Sequence, residues 1–245
     1  RQPFCINNIL SCIFLYSYYT RSDKIFIVMV IMFRDRIQAG RKLAEELQNK
    51  MPKILNGIVL ALPRGGVVVG AEIAEKLSLP LDIIVTRKIG HPANPEYAIG
   101  AVSEHEIILN PNEEFNPYYI STQAIKERRE IIRRKNLYGG KKPAIPLVGK
   151  TVFLVDDGVA TGLTVQVAVM ELKTLKPRQI IVATPAISPS TLAQLQKKVD
   201  AVVTLIVEPK FYAVGQFYKD FPQISDNEVK HILQGHSKRT GMKLN

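Results

Sequence analysis

Two adjacent acids, Asp156 and Asp157, follow the run Thr151-Val152-Phe153-Leu154-Val155 and precede a small-residue turn that holds Thr161, Gly162, Leu163 and Thr164. Each residue type has a chemical use at that position. An unbroken apolar run of β-branched and aromatic residues suits a buried parallel strand. The helical pattern that begins near Gly162 puts a helix N-terminus just past the strand's carboxyl end. Small residues let backbone N–H groups approach an anion, and the hydroxyls of Thr161 and Thr164 add donors, so the turn is suited to cradle a phosphate. Phosphate would repel the acid pair. Asp156 and Asp157 are instead suited to accept hydrogen bonds from sugar hydroxyls or to hold the water shell of Mg²⁺. Phosphate, sugar and metal together point to a sugar phosphate.

A second anion turn lies earlier in the chain. The apolar strand expected over residues 57–62 runs into Pro63-Arg64-Gly65-Gly66 and then into a small-residue helix over 67–77. Backbone N–H groups and one guanidinium are thereby exposed at a helix start, where an anion fits. A third strand, over 81–86, ends on Arg87 and Lys88, two cations that face either solvent or the same anion. Residues 90–97 are rich in turn formers and read as an exposed, mobile loop. His91 reads as an ordinary member of that loop.

An apolar strand followed by Asp-Asp, three residues, Thr-Gly, one residue and Thr resembles the phosphoribosyl pyrophosphate (PRPP) signature of type I phosphoribosyltransferases. The resemblance implies that Asp156 and Asp157 hold the ribose hydroxyls and help to hold Mg²⁺, mainly through water and PRPP. It implies that Val159, Ala160, Thr161, Gly162, Leu163 and Thr164 bind the 5-phosphate. Arg64, Gly65 and Gly66 would bind pyrophosphate together with Arg87 and Lys88, and Lys88 would join the two acids as a catalytic residue. Residues 90–97 match in position the family's flexible loop, which folds over PRPP. The implied activity is Mg²⁺-dependent transfer of a phosphoribosyl group from PRPP to a nitrogen nucleophile, such as a nucleobase, with release of pyrophosphate. One departure concerns the acceptor. Hypoxanthine-guanine enzymes carry an acid just before Thr-Gly, where this chain has Ala160, which puts 6-oxopurine specificity in doubt. The chain is similar to a group of predicted bacterial phosphoribosyltransferases of unassigned substrate. The alternative from another class is a PRPP-sensing regulator that binds nucleic acid or a protein without turnover; hydrolysis of a sugar phosphate would need a positioned water that the sequence does not identify.

The elements that position these turns alternate strand and helix through 179–184, 190–197 and 201–207. This gives an α/β fold with a central, mostly parallel sheet, helices on both faces and ligand loops at the carboxyl ends of the strands. The resemblance covers most of residues 32–207 in element order. A flexible loop or hairpin and a small C-terminal hood complete the phosphoribosyltransferase-like domain, which we bound at 32–235.

The 245 residues carry a net charge of +11, suited to a polyanionic ligand such as PRPP but also to nucleic acid. Lys126, Arg128, Arg129, Arg133, Arg134, Lys135, Lys141 and Lys142 face only Glu127 and Glu130. That segment reads as a solvated helix face, an RNA surface or an oligomer contact, in the simplest case a homodimer; no aromatic residues interleave with the cations, which disfavours nucleic acid. Phe211, Tyr212, Phe217, Tyr218 and Phe221 form either a packing flap or a wall for a planar base. Cys5 and Cys12 both lie in the first dozen residues, so the main domain has no disulfide framework and a cytoplasmic location is expected. Residues 1–31 mix Asn, Tyr and short apolar runs and read as a non-native or disordered extension before Met32. Neither apolar run reaches the ~20 residues of a spanning helix, so no membrane partner is expected. Residues 236–245 read as a disordered tail.

Overall fold

Two strands that flank the proposed site, Gly57–Ala61 and Thr151–Val155, are buried along their whole length. Such burial requires cover on both faces of a sheet. A computed structural model describes residues 13–21, 24–54, 56–139 and 146–239, with the side chains of 13–31, 96 and 139 left aside. In chain order the elements are β1 (Ile13–Arg21), β2 (Lys24–Met32), α1 (Arg36–Lys50), β3 (Gly57–Ala61), α2 (Gly65–Lys76), β4 (Leu81–Ile83), β5 (Arg87–His91), β6 (Asn94–Val102), β7 (Ile107–Leu109) and α3 (Pro117–Gly139). There follow β8 (Thr151–Val155), α4 (Leu163–Thr174), β9 (Gln179–Ile187), α5 (Pro189–Gln196), β10 (Ala201–Val207), a 3-10 turn (Val214–Phe217) and α6 (Asp226–Arg239).

The central sheet has five strands in the order β10-β9-β8-β3-β4, and every adjacent pair is parallel. Its first strand, β3, lies between the second, β4, and the third, β8, so the winding direction reverses between β3 and β8. In open parallel sheets a crevice opens at that reversal, beyond the carboxyl ends of the strands. Alternate side chains face opposite layers. Val59, Ala61, Phe153, Val155 and Ile181 pack with Leu43 and Leu47 of α1, Ile73 of α2, and Val229 and Leu233 of α6. Ile58, Leu60, Val152, Leu154 and Val182 pack with Val165, Val169 and Leu172 of α4 and Leu195 of α5.

Beside this sandwich stands a three-stranded antiparallel sheet, β5-β6-β7. Ile89, Ile99 and Val102 pack under Ile120, Ala124 and Ile131 of α3, while Ala101 meets Leu163 and Val167 at the start of α4. The second sheet is therefore joined to the helix that leaves the acid-bearing turn.

Several sequence expectations differ from the structure. The strand over 81–86 stops at Ile83, and Arg87 and Lys88 open β5 rather than close the preceding strand. The loop at 90–97 is the tip of a β-hairpin in which His91 pairs with Asn94, with register irregularities on either side of Gly90. Of residues 1–31, read from the sequence as a non-native or disordered extension, 13–21 and 24–31 lie in two strands paired from Ile13 with Met32 to Arg21 with Lys24, whereas residues 1–12, with both cysteines, lie outside the described residues. Helix α6 continues beyond 235 because His236 is buried and its Nε2 lies 2.9 Å from the Leu79 carbonyl. The rest of the expected tail, 240–245, and the cations Lys141 and Lys142 lie outside the described residues.

Candidate active site

The reversal between β3 and β8 brings the two anion turns side by side. Asp156 and Asp157 leave β8 as Gly65 and Gly66 open α2 after β3. The contact is close enough to dictate residue type. A methyl group at Gly65 would lie 1.8 Å from Asp157 Oδ2, and one at Gly66 would lie 2.8 Å from the Val155 carbonyl oxygen and 3.0 Å from Asp156 Cα. Neither turn accepts a side chain there while the other keeps its place.

Within the acid pair, the Asp157 N–H donates to Asp156 Oδ1 at 2.9 Å. Burial, and then the charge of Asp157 beside it, push the Asp156 carboxyl well above the usual carboxylate range; Arg36 opposes this only weakly. The side chain of Asp157 is engaged by Arg36, whose Nε donates to Oδ2 at 2.7 Å. This ion pair is nearly dry, with the two side chains 8% and 13% exposed. Arg36 Nη1 also donates to the Pro222 carbonyl at 2.8 Å, and its guanidinium carbon lies 3.6 Å from the centre of the Phe221 ring.

The wall behind this pair is made from two segments far apart in sequence. Phe33 N–H donates to the Phe217 carbonyl, and the Phe33 and Arg34 carbonyls accept from Lys219 and Asp220. Phe33, Phe217 and Tyr218 are buried, with Tyr218 5.6 Å from Phe33 and stacked on Phe221 at 4.9 Å between ring centres. The Tyr218 hydroxyl donates to the Asp157 carbonyl at 2.6 Å, and burial followed by the nearby Asp157 charge raises its pKa. The exposed Tyr212 takes no part in this packing.

The expected phosphate turn is braced from below. The Ala160 carbonyl accepts from Ser188 Oγ at 2.8 Å and from Thr191 Oγ1 at 2.6 Å, and Val159 pairs with Ile187. Gly162 is left-handed, at φ +71, and a methyl there would lie 2.3 Å from Thr191 Cγ2. That conformation turns the chain into α4 at Leu163 and Thr164, where the first-turn N–H groups have no intrahelical acceptor. Thr161 is exposed and Thr164 half-buried beside them.

The cations are less simply disposed. Lys88 stands across from Ala101 in the hairpin, and cross-strand neighbours share a face, so Lys88 is on the side of the sheet that meets α4 near Leu163. Arg87 Nε instead pairs with Glu127 of α3 at 2.7 Å. Arg64 Nη1 lies 3.7 Å from Asp226 of α6. Asp226 also accepts from the Tyr138 hydroxyl at 2.5 Å and faces Arg133 at 3.5 Å, and these contacts, the hydrogen bond foremost, lower its pKa. Of the sequence-selected groups, Gly65, Gly66, Asp156 and Asp157 thus meet directly, whereas Arg64 and Arg87 point their charges toward α6 and α3. The sequence reading missed Arg36 and Asp226.

Residues 33–221 match the model of the phosphoribosyl transferase domain. The chain belongs to this family. Among its relatives, "Putative phosphoribosyl transferase Rv0571c" of Mycobacterium tuberculosis is 36% identical over 207 residues, which cover 82% of this chain and 46% of the relative; its counterpart in a second strain gives the same figures. The chain therefore spans about half the length of the curated relatives that it matches. The crystal structure of TT1426 from Thermus thermophilus superposes with a TM-score of 0.70 at 39% identity, covering 83% of this chain and 98% of that one. These matches bear out the resemblance read from residues 151–164 and the α/β fold inferred from it. Among the described residues no helix is long and apolar enough to cross a membrane.

Proposed function

We propose that this phosphoribosyl transferase domain moves the phosphoribosyl group of PRPP to a nitrogen nucleophile and releases pyrophosphate. The observation that carries the reading is the contact of Gly65 and Gly66 with Asp157 and Asp156 at the sheet's reversal point. PRPP has two anionic ends separated by a ribose, and here two N–H-rich turns flank a carboxylate pair. The 5-phosphate takes the turn of Val159, Ala160, Thr161, Gly162, Leu163 and Thr164. The ribose hydroxyls donate to the acids, and the pyrophosphate lies on Gly65 and Gly66, within reach of Lys88. Arg64 joins it by leaving Asp226. The nucleophile forms a C–N bond at the anomeric carbon as the C–O bond to pyrophosphate breaks, and Asp157, whose Oδ2 is held by Arg36, stabilises the positive charge that develops on the sugar.

The donor set can be tested against Mg²⁺. Among the described residues no three His, Cys, Asp or Glu side chains form a metal cage, and Asp157 already holds Arg36. Two carboxylates, one of them engaged, fit an ion that keeps most of its ligands as water and substrate oxygens, as Mg²⁺ does. Asp156 and Asp157 would hold it through those waters, and it would neutralise charge on the leaving pyrophosphate.

The test combines calorimetry of PRPP with Mg²⁺ and a screen of nucleobases and small amines for pyrophosphate release. Asp157→Asn is expected to lose about tenfold or more in PRPP affinity, the loss of a hydrogen bond to a charged group. Wild-type affinity and turnover in that variant would overturn the assignment.

A second reading, PRPP-dependent regulation of a polyanionic partner, is favoured by one feature. A cleft of about 470 Å³ is lined by Arg87, Lys126, Glu127, Arg129, Glu130 and Arg133, and Lys126 and Arg129 are exposed with no carboxylate partner among the described residues. PRPP binding without turnover by any acceptor, joined to RNA affinity that falls steeply with salt, would select it.

A further inference from the structure

The Arg36 guanidinium reaches the acid pair from outside both anion turns. Its three nearest contacts are of different kinds and come from two parts of the chain: Asp157 Oδ2 at 2.7 Å, and, from one neighbouring segment, the Pro222 carbonyl at 2.8 Å and the face of Phe221 at 3.6 Å. Nothing in the proposed transfer uses it directly, yet a nearly dry arginine held on three sides fixes what it touches. We propose that Arg36 is a positioning residue that sets the Asp157 carboxylate for the ribose, and that Phe221 serves as its backing plate rather than as a stacking surface for the acceptor. The proposal rests on the donor-site reading above.

Geometry supports both halves. A guanidinium is planar and binds through a rigid fork, so contact with the Phe221 face, 3.6 Å from its central carbon, restricts the direction in which Nε meets Oδ2. Asp157 has little room to turn elsewhere. A methyl at Gly65 would already lie 2.5 Å from its Cγ and 2.8 Å from Arg36 Nε, so the α2 entrance closes the remaining side. Its backbone is held too, by the Tyr218 hydroxyl on its carbonyl. The Phe221 ring is occupied by the protein's own groups, with the guanidinium on its face and Tyr218 stacked at 4.9 Å. A planar acceptor would have to displace Arg36, and with it the partner of Asp157, to stack there. Donor and acceptor recognition would then compete for the same arginine.

The experiment compares Arg36→Lys, Arg36→Met, Phe221→Leu and the Arg36→Met/Phe221→Leu double variant, each checked for folding by thermal melting, in calorimetric binding of PRPP with Mg²⁺. Arg36→Met is expected to weaken PRPP by about 10- to 100-fold, within the range for loss of a charged, partly buried pair. Arg36→Lys should recover only part of this, because a point charge cannot keep the fork. Phe221→Leu should weaken PRPP by roughly threefold or more, and the double variant should be no weaker than Arg36→Met alone, since the two residues act as one unit. Wild-type PRPP affinity in Phe221→Leu, or additive losses in the double variant, would overturn the proposal; if Arg36→Met does not fold, Phe221→Leu decides alone. If the wild type binds no PRPP, the donor-site reading falls. The positioning role is then judged from the carboxyl ¹³C signal of Asp157 in the ligand-free protein: displacement by Phe221→Leu supports it, and an unmoved signal overturns it.

Discussion

Replacing Gly65 by alanine tests the meeting of the two turns with a single methyl group. The new carbon would lie 1.8 Å from Asp157 Oδ2, 2.5 Å from its Cγ and 2.8 Å from Arg36 Nε. Side-chain carbons do not come closer than 3.0 Å, so the carboxylate must withdraw by about 1.2 Å. Asp157 is too short to do this by flexing and must turn away from Arg36. Breaking a partly buried ion pair costs ~3–5 kcal/mol when one partner is left uncompensated. Gly65 is not in the left-handed region, so the substitution brings no backbone strain; alanine instead restrains the unfolded chain, which offsets ~0.5–1 kcal/mol. The net loss is then ~2–4 kcal/mol. For a domain of this size that corresponds to a fall in Tm of roughly 5–15 °C. Denaturant melts give the stability, and calorimetry with PRPP should show at least tenfold weaker binding because the displaced carboxylate no longer meets the ribose. A Gly65→Ala protein within ~0.5 kcal/mol of wild type and with unchanged PRPP affinity would refute both the contact and the use made of it.

Gly235→Ala is the counterpart: it lies within α6 with no atom within 4 Å of the added carbon, so alanine should stabilise by up to ~1 kcal/mol in the same melts. Gly162→Ala should lose ~2 kcal/mol or more, from left-handed strain and from the 2.3 Å approach to Thr191 Cγ2; adding Thr191→Ser, which keeps the hydroxyl on the Ala160 carbonyl, should recover the steric part. The β6–β7 turn supplies a pH test. Ser103 Oγ and His105 N–H donate to Glu171 Oε2, and His105 Nδ1 lies 2.6 Å from Oε1. The hydrogen bond to Glu171 raises the His105 pKa above 6.5, whereas Glu171, despite the opposing effect of burial, is held below 4.5 by bonds from His105 and Ser103. The histidine's contribution is complete below its unfolded pKa and fades as pH rises through the higher folded value; the glutamate's is complete above its unfolded pKa and fades as pH falls through the lower folded one. The cluster should therefore stabilise most between about pH 4.5 and 6.5. His105 is mostly exposed, so the effect is under ~1 kcal/mol, and His105→Ala should flatten the Tm profile between about pH 6 and 8.

The core strands and the acid turn were legible because their signals are local. Five strand formers, two acids, three small or apolar residues and Thr-Gly follow one another over 151–162, and the Pro63-Arg64-Gly65-Gly66 turn follows a strand buried at every position. The hairpin was misread because Gly90, Pro92 and Pro95 are turn formers in isolation. Pro95 is accommodated in the stretch between the pairs Gly90–Ala98 and His91–Asn94, where the register breaks and β7, paired only with Gly100–Val102, does not reach. Arg36 gave little local sign. It begins an amphipathic helix, next to the N-cap Asp35, and its carboxylate partner lies 121 residues away. The one available hint was an arginine preceding Ala39, Gly40 and Leu43 on the buried side of that helix. Asp226 was hidden likewise, being an ordinary first-turn acid until Tyr138, Arg133 and Arg64 gather around it.

The aromatic wall joins Phe33 and Arg34 to residues 217–220, and Arg36 spans 186 positions to reach the Pro222 carbonyl. Contacts of such separation carry a large closure entropy and form after local ones. A chain emerging from the ribosome would present its two glycine turns and both acids long before Asp157 acquires its arginine and the arginine its aromatic rest. Ligand capture would then report the final docking of this domain rather than the first pairing of its sheet, and a nascent chain arrested before residue 217, which still lacks α6, should show protection on the α4–α5 face of its sheet while remaining blind to PRPP.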